Sequence, residues 1–289
     1  MTDGHIILGS AGVLAPGRWR WLRALGWMLA LAAGLVAIAL LPALRALVPG
    51  RPAWLLPVLM MLATLLSYLA YGGAVRRGER RWPVEIGLSG LSRDLGIGLL
   101  IGLAMFTLVF ASLRAMGVYA MMPGVWTDWP HDMLDGAIAG LLEELLFRAV
   151  LFRLLMRAFG LWWALALSAA IFGALHLANP HATPFAAIAI AIEAGLMLAA
   201  FYLLTGRIWM SVGVHAAWNF AQGGIFGASV SGGTEIGSLF VSAPVANAPI
   251  ILSGGGFGPE ASLSAMIVGL GVFLIAMRMA SRRGRLAAG

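Results

Sequence analysis

Long apolar runs, each closed by a short polar stretch, recur along the whole chain. They fall at 24–44, 53–75, 95–113, 133–152, 161–178, 183–204, a short one at 208–221, and 261–279. A helix that crosses a bilayer needs about 20 apolar residues. In lipid the backbone must satisfy its own hydrogen bonds, which admits helices or a closed barrel. Unbroken rather than alternating apolar runs select helices. The pattern therefore predicts an all-α fold, a polytopic transmembrane helix bundle of about eight spans. It divides the chain into a leading segment (1–23), three spans with their loops (24–132), a core (133–222), a glycine-rich loop (223–260), and a last span with a basic tail (261–289).

Composition agrees with this pattern. The chain has 289 residues, 61% hydrophobic and only 11% charged, against roughly a quarter charged in a soluble domain. Most of its surface is therefore expected not to face water. All 19 basic residues are arginine, and the net charge is +7. Such a charge can mark nucleic-acid binding, but these arginines cluster at the ends of apolar runs, so no nucleic-acid partner is expected. With no cysteine, disulfides and thiolate chemistry are excluded.

The arginines also orient the chain. Arg18, Arg20 and Arg23 precede the first run, Arg76, Arg77, Arg80 and Arg81 follow the second, and Arg153 and Arg157 follow the fourth. Arg207 follows the sixth, and Arg278, Arg282, Arg283 and Arg285 close the last. By the positive-inside rule both termini are cytoplasmic. The opposite loops carry Asp128, Asp132, Asp135, Glu235 and Glu260, with Arg45 and Arg51 discordant. The first run is longer than a signal-peptide core, so it reads as an uncleaved anchor. Two connections stand out: a charged loop at 76–93, and the loop at 223–258, whose ten glycines suit a re-entrant or lid-like segment.

Ionisable groups inside apolar spans are costly and usually functional. The deep acids are Glu143, Glu144 and Glu193; the deep histidines are His176 and His215; and Arg148 is the one arginine expected well inside a span. Glu144 and Arg148 are four apart and share a helix face, so an ion pair is expected. Glu143 is turned about 100° away and stays free. His215 and Asn219 also share a face, and Phe172 lies one turn before His176, where it can wall a site. Each pair alone could be structural glue between helices, and Glu193 reads as structural or cavity-lining. Together they suggest hydrolysis, which needs a base for water and donors for the oxyanion.

At these residues the sequence resembles the CAAX-protease and bacteriocin-processing (CPBP, or Abi) family of intramembrane glutamic proteases. The matching motifs are Glu143-Glu144-Leu-Leu-Phe-Arg148, Phe172-Gly-Ala-Leu-His176 and His215-Ala-Ala-Trp-Asn219, in the family's order. Thr205-Gly-Arg-Ile-Trp209 also looks like family sequence, and the Gly-Gly-Gly-Phe-Gly-Pro-Glu stretch within 251–262 looks like a tail of some bacterial members. The resemblance implies a membrane endopeptidase with Glu143 as catalytic base and His176 holding the water. It implies His215 and Asn219 at the oxyanion, with Glu144, Arg148 and Phe172 in support. It implies no cofactor, a membrane-associated peptide or protein as substrate, and membrane lipid as surroundings.

Three other readings remain open. The same residues could hold zinc, although no His-Glu-x-x-His motif is present. A proton-coupled transporter also buries Glu, His and Arg, but would be expected to show paired repeats. A non-catalytic scaffold or immunity protein would keep the fold without cleaving. With both termini inside, Glu143 lies about 12 Å in from Asp135 at 1.5 Å per residue. The site then either opens outward or is reached by water from inside. Reporter fusions in the 223–258 loop are expected to read as extracytoplasmic, and a cytoplasmic reading would reverse the orientation.

Overall fold

The computed structural model describes residues 5–47, 50, 52, 54–234 and 237–286. Arg51, Ala53 and Glu235 lie outside the described residues. The protein is 72% helix and 4% strand. Its helices are α1 (Arg20–Leu40), α2 (Leu55–Ala74), α3 (Leu91–Ala115), α4 (Trp129–Glu144), α5 (Arg153–Phe159) and α6 (Leu161–Leu175). They continue with α7 (Pro184–Ile190), α8 (Met197–Thr205), α9 (Trp209–Phe220), the short α10 (Ile250–Ser253) and α11 (Leu263–Arg282).

Six helical stretches among the described residues are long and apolar enough to cross a membrane: Arg20–Arg45, Leu55–Glu79, Leu91–Ala115, Leu161–Ala178, Pro184–Thr205 and Leu263–Arg282. The fourth and seventh apolar runs are helical too, but fall outside these six. The fourth, continuous from α4 through a π-helical stretch Leu145–Phe152 into α5, contains Glu143, Glu144, Arg148 and Arg153. The seventh, α9, is only 12 residues long before a π turn, Ala221–Ile225. Both serve as inner helices, so neighbouring helices rather than lipid cover much of their surface. All nine residues of α8 are buried as well.

Glycine lets α9 sit deep. In a bilayer no hydrophobic force pulls one helix to another, so close backbone approach through small residues has to do it. Gly98 and Gly102 of α3 form a small-x-x-x-small face, where an added Cβ would stand 2.4 Å from Met210 O and 2.3 Å from Val214 O. From the other side, Gly136 and Gly140 of α4 meet Ala216 O and Val212 O, where added Cβ atoms would lie 3.0 and 3.1 Å away. Gly213 answers from α9 itself, with Leu95 O 2.5 Å from its would-be Cβ. The helix carrying His215 and Asn219 is thus gripped between two glycine faces.

Two departures from the sequence reading concern the connections. The glycine-rich loop carries a strand, β2 (Phe240–Pro244), paired antiparallel with β1 (Tyr119–Pro123), Tyr119 opposite Pro244. This ribbon gives backbone groups outside the helices their partners. The loop at 76–93 is not simply a solvated charged segment. Glu79 and Glu85 are buried, and Arg153, expected as a surface orientation marker, is fully buried with them. Its Nη1 and Nη2 donate to Glu79 at 2.9 and 2.7 Å. Arg81 donates to both acids, Trp27 donates to Glu79, and Tyr71 donates to Glu85. Arg148 is therefore not the only deep arginine; this second cluster pins the loop to α1, α2 and α5.

Overpacking a tight contact typically costs about 1–3 kcal/mol. Gly102→Ala is expected to lower stability by that order in detergent unfolding. Gly271→Ala, on α11 with nothing within 4 Å of the new methyl, should not lower it and can raise it by up to about 1 kcal/mol.

Candidate active site

The site begins where α4 gives way to the π stretch. π turns within longer helices gather at functional sites because they re-aim side chains, and here one follows directly after Glu143 and Glu144. Arg148 lies inside it, fully buried, with Nε 2.9 Å from Glu144 Oε2. Neither atom has an aligned hydrogen bond, so this is a charge contact lying off the N–H axis. The same guanidinium donates from Nη2 to Ala194 O at 3.3 Å and sits 5.1 Å from the Phe172 ring centre. One cation thus ties α4 to the aromatic wall on α6 and to a second π stretch, Ala191–Leu196, between α7 and α8.

His215 of α9 completes the hold on Glu144. Its Nδ1 is 3.0 Å from Glu144 Oε1, and the carboxylate, as acceptor, assigns the proton to that nitrogen. Nε2 then faces Glu143 Oε2 at 4.0 Å. The sequence pairing of Glu144 with Arg148 is present in space, and His215 is a further partner that spacing along one helix could not show. Glu143 stays untied, as expected: its Oε2 is buried without a hydrogen-bond partner, while the side chain as a whole remains 36% exposed.

His176 opens a short 3₁₀ turn, His176–Ala178, at the end of α6. Its Nδ1 donates to Phe172 O at 2.8 Å, leaving Nε2 as the outward-facing nitrogen. Phe172 is buried, edge-on to Phe147 at 4.7 Å and beside the His176 ring at 4.7 Å. It walls the site as its position predicts.

Glu143, His176, His215 and Asn219 line one polar cavity of about 50 Å³, room for a few waters. Glu193 and Glu260 line it as well. Glu193 is the cavity-lining acid that the sequence allowed for. Glu260, read as a loop acid on the outer side, is only 3% exposed. Its signal was the glycine run before it. Gly254 and Gly258 adopt φ of +76° and +128°, where added Cβ atoms would lie 1.8 Å from Gly258 O and 2.1 Å from Ser229 O. Only glycine folds this tightly, and the fold carries Glu260 inward to accept from Ser231 N and Oγ at 2.7 and 2.8 Å.

Two larger spaces adjoin the cavity. An apolar groove of about 630 Å³ runs between α1, α2 and α4, past Leu35, Met60 and Ile138, and has Glu143 in its wall. A polar opening of about 390 Å³, lined by Asp128, Asp132, Asp135 and Gly223, reaches Asn219 from the acid-rich end of α4. Among the described residues no three of His, Cys, Asp or Glu are placed to hold a metal ion.

Residues 125–221 match the family model described as type II CAAX prenyl endopeptidase Rce1-like. This segment is similar to that family's domain, and the similarity is confined to these residues. The segment contains Glu143, Glu144, Arg148, Phe172, His176, His215 and Asn219 and leaves Glu260 outside. With the apolar helices around the segment, this similarity points to a membrane peptidase. Comparison with curated proteins and with solved structures gives no match.

Removing one partner of a buried ion pair leaves the other charge uncompensated, at a cost of about 3–5 kcal/mol. Arg148→Ala is expected to destabilise the protein by that order in detergent unfolding. The double variant Glu144→Gln with Arg148→Met should recover much of the loss, since neither buried charge then remains.

Proposed function

We propose that the protein is a membrane endopeptidase in which Glu143 activates a water molecule for attack on a peptide bond. The observation that carries this reading is the position of Glu143, untied, where the apolar groove meets the polar cavity. A membrane-associated substrate lies in the groove with its scissile carbonyl at the cavity mouth. His176 accepts from the water through Nε2 and orients it. Glu143 takes the water's proton as the oxygen bonds to the carbonyl carbon. Asn219 donates from its side-chain amide to the developing oxyanion, and His215 donates from Nε2 when both its ring nitrogens carry protons. Glu144 and Arg148 hold His215 and the π stretches in register.

The family description names CAAX prenyl endopeptidases. A groove lined by leucine, methionine and isoleucine suits a lipid-modified or a transmembrane peptide. Water reaches the site through the polar opening at the acid-rich end of α4. With both termini cytoplasmic, that end is the outer one, so the cleaved bond is met on the outer side of the membrane.

Loss of a general base typically costs about 10²–10⁴ in rate. Glu143→Ala is therefore expected to abolish processing while leaving abundance unchanged, read by comparing cell-envelope peptides of the two strains. Retained processing in that variant would favour the scaffold reading. Stoichiometric co-purifying zinc, with reversible loss of activity on chelation, would assign water activation to a metal.

A further inference from the structure

The proposed chemistry uses one carboxylate of the cavity and leaves two unexplained. Glu193 sits in the π stretch between α7 and α8, 3% exposed, and lines the cavity. Glu260 enters from the 3₁₀ turn Pro259–Ala261 before α11, also 3% exposed, and accepts from the two donors of Ser231. The two acids interact electrostatically, and Glu260 also feels the rings of His176 and His215. Both line the same small cavity, and a Cβ on Gly269 of α11 would stand 2.5 Å from Glu193 Cα. The glycine lets the helix that follows Glu260 press directly on the turn that carries Glu193.

Two carboxylates buried together without a cation between them are not both charged; one keeps a proton. In Glu260, burial lifts the carboxyl above its ordinary value, outweighing the opposite pull of the Ser231 hydrogen bonds and the two histidines. Amide hydrolysis has a use for such a proton. An amine anion is a poor leaving group, so the nitrogen must be protonated before the C–N bond breaks.

We propose that Glu193 and Glu260 form a carboxylic acid–carboxylate pair that protonates the leaving amine of the substrate. The inference rests on Glu143 acting as the base. Water gives one proton to Glu143 as its oxygen bonds to the carbonyl carbon. The pair gives its proton to the nitrogen, and the C–N bond breaks to a free amine and a carboxylic acid. The proton on Glu143 then returns through cavity water to the pair, restoring both groups. No co-reactant beyond water enters. The titratable groups that line the cavity with the pair are Glu143, His176 and His215.

The test uses the full-length protein in detergent and a synthetic peptide spanning a site whose termini vanish in the Glu143→Ala strain. The same peptide is made with the scissile amide replaced by an ester, whose alcohol leaves with far less need of a proton. Glu193→Gln and Glu260→Gln are expected to slow amide cleavage about 100-fold and ester cleavage less than about tenfold. Glu143→Gln should slow both, and Glu260→Asp should restore part of the amide rate. Equal losses on amide and ester, or no loss on either, would overturn the acid role. If no termini vanish without Glu143, the base reading fails. A second measurement addresses the pair whatever the substrate. The infrared band of a protonated carboxyl in the resting protein should weaken in the double variant Glu193→Gln with Glu260→Gln, and an unchanged band there would overturn the shared proton.

Discussion

The contact between glycine faces and the α9 backbone sets where everything else can lie. Lipid tails are as apolar as leucine, so helices in a bilayer gain nothing by hiding apolar side chains from it. What holds them is close van der Waals contact, which on the α3 side glycine alone allows and on the α4 side glycine makes easy. α3 and α4 each offer two glycines one turn apart, and α9 lies between them. His215 is therefore delivered to Glu144, and Asn219 to the cavity, by backbone packing rather than by polar attraction. Similar contacts recur around the site, with Gly173 against Ala187 O, Gly195 against Ala169 Cα and Gly269 against Glu193 Cα, all under 3 Å for an added Cβ.

The polar groups then work within a frame already fixed. Arg148 reaches three elements from one guanidinium, and its planar, forked shape is what makes that possible. Lysine would offer a single point charge and could not face Glu144, Ala194 and Phe172 together. The cluster around Arg153 shows the same economy toward the arginine-rich side, where two acids and two arginines neutralise one another out of water. These two polar centres have different surroundings. The Arg153 cluster is closed, while the Glu143 cavity adjoins an apolar groove and a polar opening.

Much of this was legible along the chain because it depends on helical spacing. The apolar runs located the helices, and the i, i+4 rule paired Glu144 with Arg148 and set Glu143 apart. Phe172 beside His176 and Asn219 beside His215 followed in the same way. Spacing within a helix says nothing of partners on other helices, so His215 against Glu144 and Arg153 against Glu79 were out of reach. The charge pattern also misled at two places. Glu79, Glu85 and Glu260 lie in sequence where water is expected, yet tight turns and packing carry them inside. For Glu260 the dense glycines before it were the clue, since chain that must bend so sharply is chain going somewhere confined. The strand pairing at 119–123 and 240–244 joins residues far apart in sequence, and neither segment alternates strongly enough to announce it.

The late arrival of Glu260 bears on how the protein is made. A nascent chain inserted as far as α9 already carries Glu143, His176, His215 and Asn219, four residues that line the cavity. Its cavity still lacks the wall formed by Ser231 and Glu260, and the turn bearing Glu193 still lacks α11 against it. Both of these walls come from chain that follows α9. A chain grown only as far as α9 leaves this cavity open on one side, because its lining is drawn from two stretches far apart in sequence.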